Sequence, residues 1–315
     1  NIFPESYLIV LVREYNFEII KNLPYIDETI KIDDYELREL AAYLKQQNPL
    51  YFISLFTNRE IGYIARKSKA KYRIGPYSRF HSFFSYNKGI RQNRSKSVKN
   101  EAEYNLDLIR VIDKKRFDEK FELDTKIYFE KKHLQKAREF TGKQIRKTVL
   151  IHPFFGNSGK NLTYEQYGRL IAELMEKSDY KIIISGHITD KEPMEKHFTP
   201  LKSDRIKIFL NQDSVLYLAA LIQQADIFVG SSTGPTHIAG SLQKKIVAFY
   251  PPIKAKSVTR WGVFHNPSVT YFGNEENCPE KYGCRKSCPY YDCFEKIDIS
   301  AVADEIIRKV ERSEK

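Results

Sequence analysis

The sequence predicts an α/β protein built on parallel sheets, and three observations predict it. Short β-branched runs recur along the second half of the chain. Each is followed by a polar turn rich in Gly, Ser and Thr, and each turn leads into apolar residues at helical spacing. Strands and helices alternating in this way imply a sheet whose two faces are both covered by helices.

Taken in order, Tyr7 to Val12 and Tyr51 to Leu55 read as strands, with a helix from Leu37 to Gln46 between them. Lys67 to Lys99 is too polar and broken to assign closely. Glu101 to Ile112 reads as an amphipathic helix with Tyr104, Leu108 and Ile112 on one side. A charged stretch from Asp113 to Lys147 follows, with a helix around Lys131 to Thr141, and the boundary between two domains is placed near 145. The domains expected are thus 1–145 and 146–315.

The second half is more regular. Lys147 to His152 is a strand that stops at Pro153. Thr163 with Gln166 three residues on forms a capping box, and Tyr167, Leu170, Ile171, Leu174 and Met175 continue at helical spacing. Lys181 to Ser185 is the next strand. Ile206 to Leu210 follows, then a helix capped by Ser214. Asp226 to Gly230 is a buried-type strand, Pro235 to Ser241 a short helix, and Lys245 to Tyr250 a further strand.

Composition narrows the function classes. At 315 residues and 42% hydrophobic content the chain suits two globular domains. No apolar run approaches the roughly 20 residues that span a bilayer, and the first residues lack the basic head and apolar stretch of a signal peptide. A cytoplasmic protein is expected. The formal charge of +12 is concentrated: residues 61–100 hold eleven Lys or Arg and no Asp or Glu, leaving 41 basic against 40 acidic residues elsewhere. The question is therefore what this one segment touches, and not why the whole protein is basic.

Two loops sit where open parallel sheets bind ligands, beyond the carboxyl ends of strands. One is Gly156 to Asn161, after the strand ending at His152. The other is Gly230 to His237, between a strand and a helix. Free backbone N–H groups, hydroxyls and a helix dipole there suit a diphosphate, and Lys160 would add positive charge opposite a departing nucleoside diphosphate. Ordinary βα turns are the competing reading. The spacing Gly156-x-x-Gly159-Lys160-Asn161 excludes a Walker A loop, which needs four residues between its glycines and Ser or Thr after the Lys.

Val149-Leu150-Ile151-His152-Pro153, then Lys160-Asn161-Leu162-Thr163, then Gly230-Ser231-Ser232-Thr233-Gly234-Pro235-Thr236-His237-Ile238-Ala239-Gly240 and Arg260-Trp261-Gly262 resemble glycosyltransferase family 9, the lipopolysaccharide heptosyltransferases and their relatives. The resemblance implies the GT-B arrangement of two Rossmann-like domains facing across a cleft. It implies an inverting transfer that requires no metal, the acceptor on the first domain and a nucleotide sugar, ADP-heptose above all, on the second. It assigns Lys160, Ser232, Thr233, Gly234 and His237 to the donor, Lys160 stabilising the leaving group. For His237, a buried ring bonded to backbone is the alternative. Ser232 departs from the Asp that many members carry there. Members also begin with a βα unit bearing a candidate general base. Its absence before Asn1 implies about 25–30 residues not represented here, and leaves the base unnamed.

The basic segment interleaves with Tyr63, Tyr72, Tyr77, Phe80, Phe83, Phe84 and Tyr86. Lys67, Lys69, Lys71, Arg73 and Arg79 are expected to meet an anionic glycolipid acceptor or the inner face of the cytoplasmic membrane. Core aromatics under a solvated loop are one alternative, and single-stranded nucleic acid, which is not expected, another. Cys278, Cys284, Cys288 and Cys293 form a group with two readings, a structural tetrahedral zinc or iron site and reduced thiols. A glycosyltransferase acting on a lipopolysaccharide core or related glycolipid is the function expected. An inactive sugar-nucleotide-binding protein and a nucleic-acid-binding protein are the alternatives.

Overall fold

The computed structural model describes residues 2–78, 80–143, 145–155, 161–201, 203–273 and 294–312. The chain divides into two compact units, Asn1–Asp124 and Thr125–Lys315. This division falls upstream of the boundary expected near 145, because the helix Lys131–Thr141 packs with the second unit, against the helix Val215–Gln224.

The first unit runs β1 (Ile9–Val12), α1 (Glu14–Ile20), β2 (Glu28–Lys31), α2 (Leu37–Gln46), β3 (Tyr51–Ile53), α3 (Arg59–Lys67), β4 (Tyr72–Pro76), α4 (Phe80–Ser85), β5 (Lys88–Ile90), α5 (Glu101–Arg110) and α6 (Lys114–Lys120). β1 and β2 pair in parallel, and β3, β4 and β5 form a second parallel sheet with β4 in the middle. Ile30, Ile32, Leu40, Leu44 and Ile64 make its core. The stretch left unassigned in the sequence therefore holds two strands, the whole of α4 and the last residue of α3. β4 carries Gly75 and Pro76, poor strand formers that blur its pattern.

Gly62 and Gly75 explain how these pieces close up. A side chain at Gly62 would collide with Ser85 Oγ, and one at Gly75 would lie 2.6 Å from the Tyr86 ring. Their absence lets α3 approach α4 and lets Tyr86 lie flat on β4. Tyr86 is consequently buried.

The second unit begins with α7 (Lys131–Thr141) and continues β6 (Thr148–His152), α8 (Tyr164–Lys177), β7 (Lys181–His187), α9 (Lys191–His197), β8 (Ile206–Asn211), α10 (Val215–Gln224), β9 (Ile227–Ser231), α11 (Gly234–Ser241), β10 (Lys245–Phe249), α12 (Val258–Trp261), β11 (Val269–Phe272) and α13 (Ile299–Glu311). Its six strands are all parallel, in the order β11-β10-β9-β6-β7-β8. β6 and β9 lie at the centre, and every residue of both is buried. That is why they read as unbroken apolar runs and not as alternating ones. The order reverses direction at β6, whose neighbours are β7 on one side and β9 on the other. This is the switch point at which ligands bind such sheets.

Candidate functional site

At the carboxyl end of β6 the chain leaves the sheet through Pro153. Asn161 gathers the far end of the following loop: its Nδ2 donates to the Pro153 carbonyl at 2.9 Å, and its Oδ1 accepts from Leu162 N and Tyr167 Oη, each at 2.9 Å. All of this is buried. Thr163 and Gln166 then cap α8 reciprocally, as their spacing predicts. The loop that carries Lys160 is thus tied at its downstream base to the strand it leaves. Lys160 itself lies outside the described residues.

The neighbouring corner joins β9 to α11. The Ser231 carbonyl accepts from Thr233 N at 2.8 Å, from Thr233 Oγ1 at 3.4 Å and from Thr236 Oγ1. Thr233 is the N-cap in extended conformation, Pro235 follows in the first turn, and α11 packs against β9 and β10. Among the described residues no acceptor faces the Gly234 N–H, and the buried Ser231 Oγ has no partner. A tight turn with a free N–H at a helix start is suited to anion binding.

Ser232 and His237 stand differently. Burial pushes the Tyr250 hydroxyl's pKa up, an effect that Ser232 partly offsets, and Tyr250 Oη donates to the Trp261 carbonyl at 2.9 Å. His237 is partly buried, and burial depresses its pKa. No hydrogen-bond partner joins its ring among the described residues, so the backbone bond considered as an alternative is not found there.

His152 was read from sequence only as a strand end, and the structure gives it more. Its ring is buried at the carboxyl end of β6, in register with Gly230 on β9. Nδ1 lies 3.0 Å from Ser185 Oγ on β7, and burial holds its pKa down at about 4. A His-Pro step ending a buried strand was the available signal, but its partner is 33 residues away and only the sheet brings it near.

In the first unit, Lys67, Lys69 and Lys71 are exposed around the turn between α3 and β4. Lys67 Nζ lies 5.9 Å from the Tyr63 ring centre and Lys71 Nζ 5.4 Å from that of Tyr72. None of the three has a carboxylate partner among the described residues. Arg73 has an internal duty instead: its Nε donates to the Ser85 carbonyl at 2.9 Å and its Nη1 to that of Ala70 at 3.1 Å. The aromatics divide too, Tyr86 being core and Phe80, Phe83 and Phe84 exposed. Arg79, Cys278, Cys284, Cys288 and Cys293 lie outside the described residues. Among the described residues, no cluster of His, Cys, Asp and Glu has the makings of a metal site, and no helix is long and apolar enough to cross a membrane.

Comparison with known proteins agrees with this architecture. The family model described as glycosyltransferase family 9 (heptosyltransferase) matches residues 40–291. A Haemophilus influenzae protein named "Putative glycosyltransferase" is 29% identical over 268 residues, which cover 82% of this chain and 77% of the relative. The solved glycosyl transferase family 9 structure from Veillonella parvula superposes with a TM-score of 0.83 at 17% identity, covering 98% of this chain and 89% of that one. The ADP-heptose LPS heptosyltransferase II of E. coli gives 0.75 at 15%, covering 98% and 90%. The E. coli heptosyltransferase WaaC, solved with ADP, gives 0.65 at 15%, covering 95% and 89%.

Proposed function

The chain belongs to glycosyltransferase family 9 and is a glycosyltransferase; from that premise we propose that it transfers heptose from ADP-heptose, with inversion, to a lipopolysaccharide core or related anionic glycolipid. The observation that carries the reading is the β9–α11 corner, where a free Gly234 N–H and the Thr233 cap open at the carboxyl end of a buried parallel sheet. That WaaC is solved with ADP, and also with ADP-2-deoxy-2-fluoro heptose, supports a nucleotide sugar as the donor.

In this mechanism an acceptor hydroxyl attacks the anomeric carbon, and the bond from that carbon to the diphosphate oxygen breaks. The hydroxyl proton passes to a carboxylate of the first unit, and ADP leaves. Charge builds on the departing diphosphate, so Lys160 and the dipole and N–H groups at Thr233-Gly234 lower the barrier by holding that charge. Ser232 and His237 shape the corner from beside it. No metal is needed when these groups carry the charge, and a zinc or iron on the four cysteines would be structural. The exposed Lys67, Lys69 and Lys71 hold the anionic acceptor or the inner surface of the cytoplasmic membrane on which it is presented.

Gly234→Ala tests the corner cleanly. A methyl group there would meet no atom within 4 Å, and Gly234 is not among the positive-φ residues. The variant is expected to fold with an unchanged melting temperature, yet to bind ADP-heptose about tenfold or more weakly by calorimetry, because the methyl occupies the diphosphate's place. Equal donor affinity in the two proteins would remove the corner from the donor site. A wild type that binds ADP-heptose but transfers nothing to any core acceptor would be a binding protein and not an enzyme.

A further inference from the structure

His152 has one ring nitrogen that the protein leaves open. Residues in register on parallel strands share a face of the sheet. His152 is in register with Gly230, and the pairing of Ile151 with Ile184 sets it beside Ser185. The core under α8, α9 and α13 takes Val149, Ile151, Ile184 and Val229, and no residue of α10 or α11. His152 therefore points to the opposite face, where α10 and α11 pack together. Nδ1 is occupied by Ser185 Oγ at 3.0 Å. Nε2 has no partner among the described residues, yet it is not one of the fully sealed atoms that lack one. His152 is only 8% exposed, and what remains open lies at the carboxyl end of β6, beside the strand that feeds the Thr233-Gly234 corner.

Buried polar groups are nearly always paired, and exceptions mark places that water or a ligand completes. Here such exceptions converge. The Gly234 N–H and the Ser231 Oγ also lack partners among the described residues, at the end of the adjoining strand. The Ser185 contact does not by itself choose the imidazole tautomer. Its hydroxyl can donate to Nδ1, or accept from Nδ1–H while donating to the Ile151 carbonyl at 3.4 Å. The ring is thus held in place but is free to take the tautomer a ligand asks for.

We propose that His152 Nε2–H donates to a diphosphate oxygen of the nucleotide-sugar donor, alongside the Gly234 N–H, and that Ser185 is the positioning residue that holds the ring. A diphosphate only accepts hydrogen bonds, so the bound state needs the hydrogen on Nε2, and Nδ1 then accepts from the Ser185 hydroxyl. Burial keeps the imidazole uncharged well below neutral pH, so it contributes direction, and Lys160 the charge. The assignment rests on the glycosyltransferase reading and adds to its donor set a residue that the family resemblance does not supply.

The test uses the purified protein and ADP alone, with affinity measured by calorimetry. His152→Asn keeps an amide for Ser185 but reaches nothing at the place of Nε2, and should bind ADP about tenfold more weakly. His152→Gln carries its amide nitrogen toward the place of Nε2 and should bind within about threefold of the wild type. Equal affinity in all three proteins, or equal weakening in both variants, would overturn the contact. A wild type that does not bind ADP at all would count against the nucleotide-sugar reading itself. Ring-nitrogen NMR of the wild type does not depend on any variant folding. With ADP bound, the His152 ring should carry its hydrogen on Nε2, and an Nδ1-protonated ring in that complex would overturn the proposal. In Ser185→Ala with ADP, the Nδ1 resonance should move toward that of an unbonded ring nitrogen; an unmoved resonance would remove Ser185 from the positioning role.

Discussion

His152 should make the second unit sensitive to mild acid, and the size of the effect follows from its surroundings. The ring is buried with Nδ1 at 3.0 Å from Ser185 Oγ, and burial holds its pKa at about 4 against an ordinary 6.5. In the unfolded chain the imidazole takes up a proton near its ordinary value, whereas the folded chain resists until near pH 4. Between those limits the unfolded state binds more protons, so stability is complete above the ordinary value and is lost as pH falls. Each pKa unit is worth about 1.4 kcal/mol, which gives roughly 3 kcal/mol over the full window and about 2 kcal/mol between about pH 7 and pH 5. Burial of His237 acts in the same direction. Glu165 and Glu305, whose pKa values are lowered, respond only below the ordinary carboxylate range. Trp261, the single tryptophan, belongs to the second unit and reports its unfolding. Urea titrations followed by its fluorescence should show that loss in the wild type. His152→Asn keeps a donor toward Ser185 and cannot titrate, so its slope should be flatter by about 2 kcal/mol over the same range. Parallel pH profiles for the two proteins would refute the reasoning.

Four other outcomes are expected. Lys160→Ala should lower turnover by about a hundredfold or more, as loss of a group that meets transition-state charge does, with an unchanged circular dichroism spectrum; normal kinetics would remove Lys160 from the reaction. Charge reversal at Lys67, Lys69 and Lys71 together should abolish sedimentation with vesicles containing anionic lipid and leave the melting temperature nearly unchanged, since all three are exposed and unpaired with any described carboxylate. Arg73→Ala should do the reverse, because its guanidinium is held by the Ala70 and Ser85 carbonyls: vesicle binding stays, and stability falls by about 1–3 kcal/mol. Gly240→Ala should destabilise the second unit by about 1–3 kcal/mol, since the new methyl would strike Val263 Cγ1; an unshifted denaturation midpoint would show that Val263 yields freely.

What the sequence determined by itself was whatever local pattern encodes. The buried strands of the second unit are legible because both faces of each are covered, so Val149-Leu150-Ile151 and Ile227-Phe228-Val229 need no alternation. The start of α8 is legible because Thr163 and Gln166 satisfy each other within four residues. The β9–α11 corner could be recognised because a strand, a turn and a helix cap are consecutive in the chain. The first unit was harder. β4 is five residues long and ends in Gly75 and Pro76, so its pattern is weak, and α7, allotted from sequence to the first domain, falls in the second unit through its packing against α10. The tertiary structure alone decided which residues meet. His152 finds Ser185 across 33 positions, and Tyr86 finds Thr57 across 29. It also turned Arg73 inward while leaving Lys67, Lys69 and Lys71 in solvent. Periodicity fixes which face of an element is apolar. Register and close packing, set here by parallel pairing and by glycines that admit a neighbour, fix which polar groups come within hydrogen-bond distance. Those contacts depend on distant segments at once and leave no mark on any one of them.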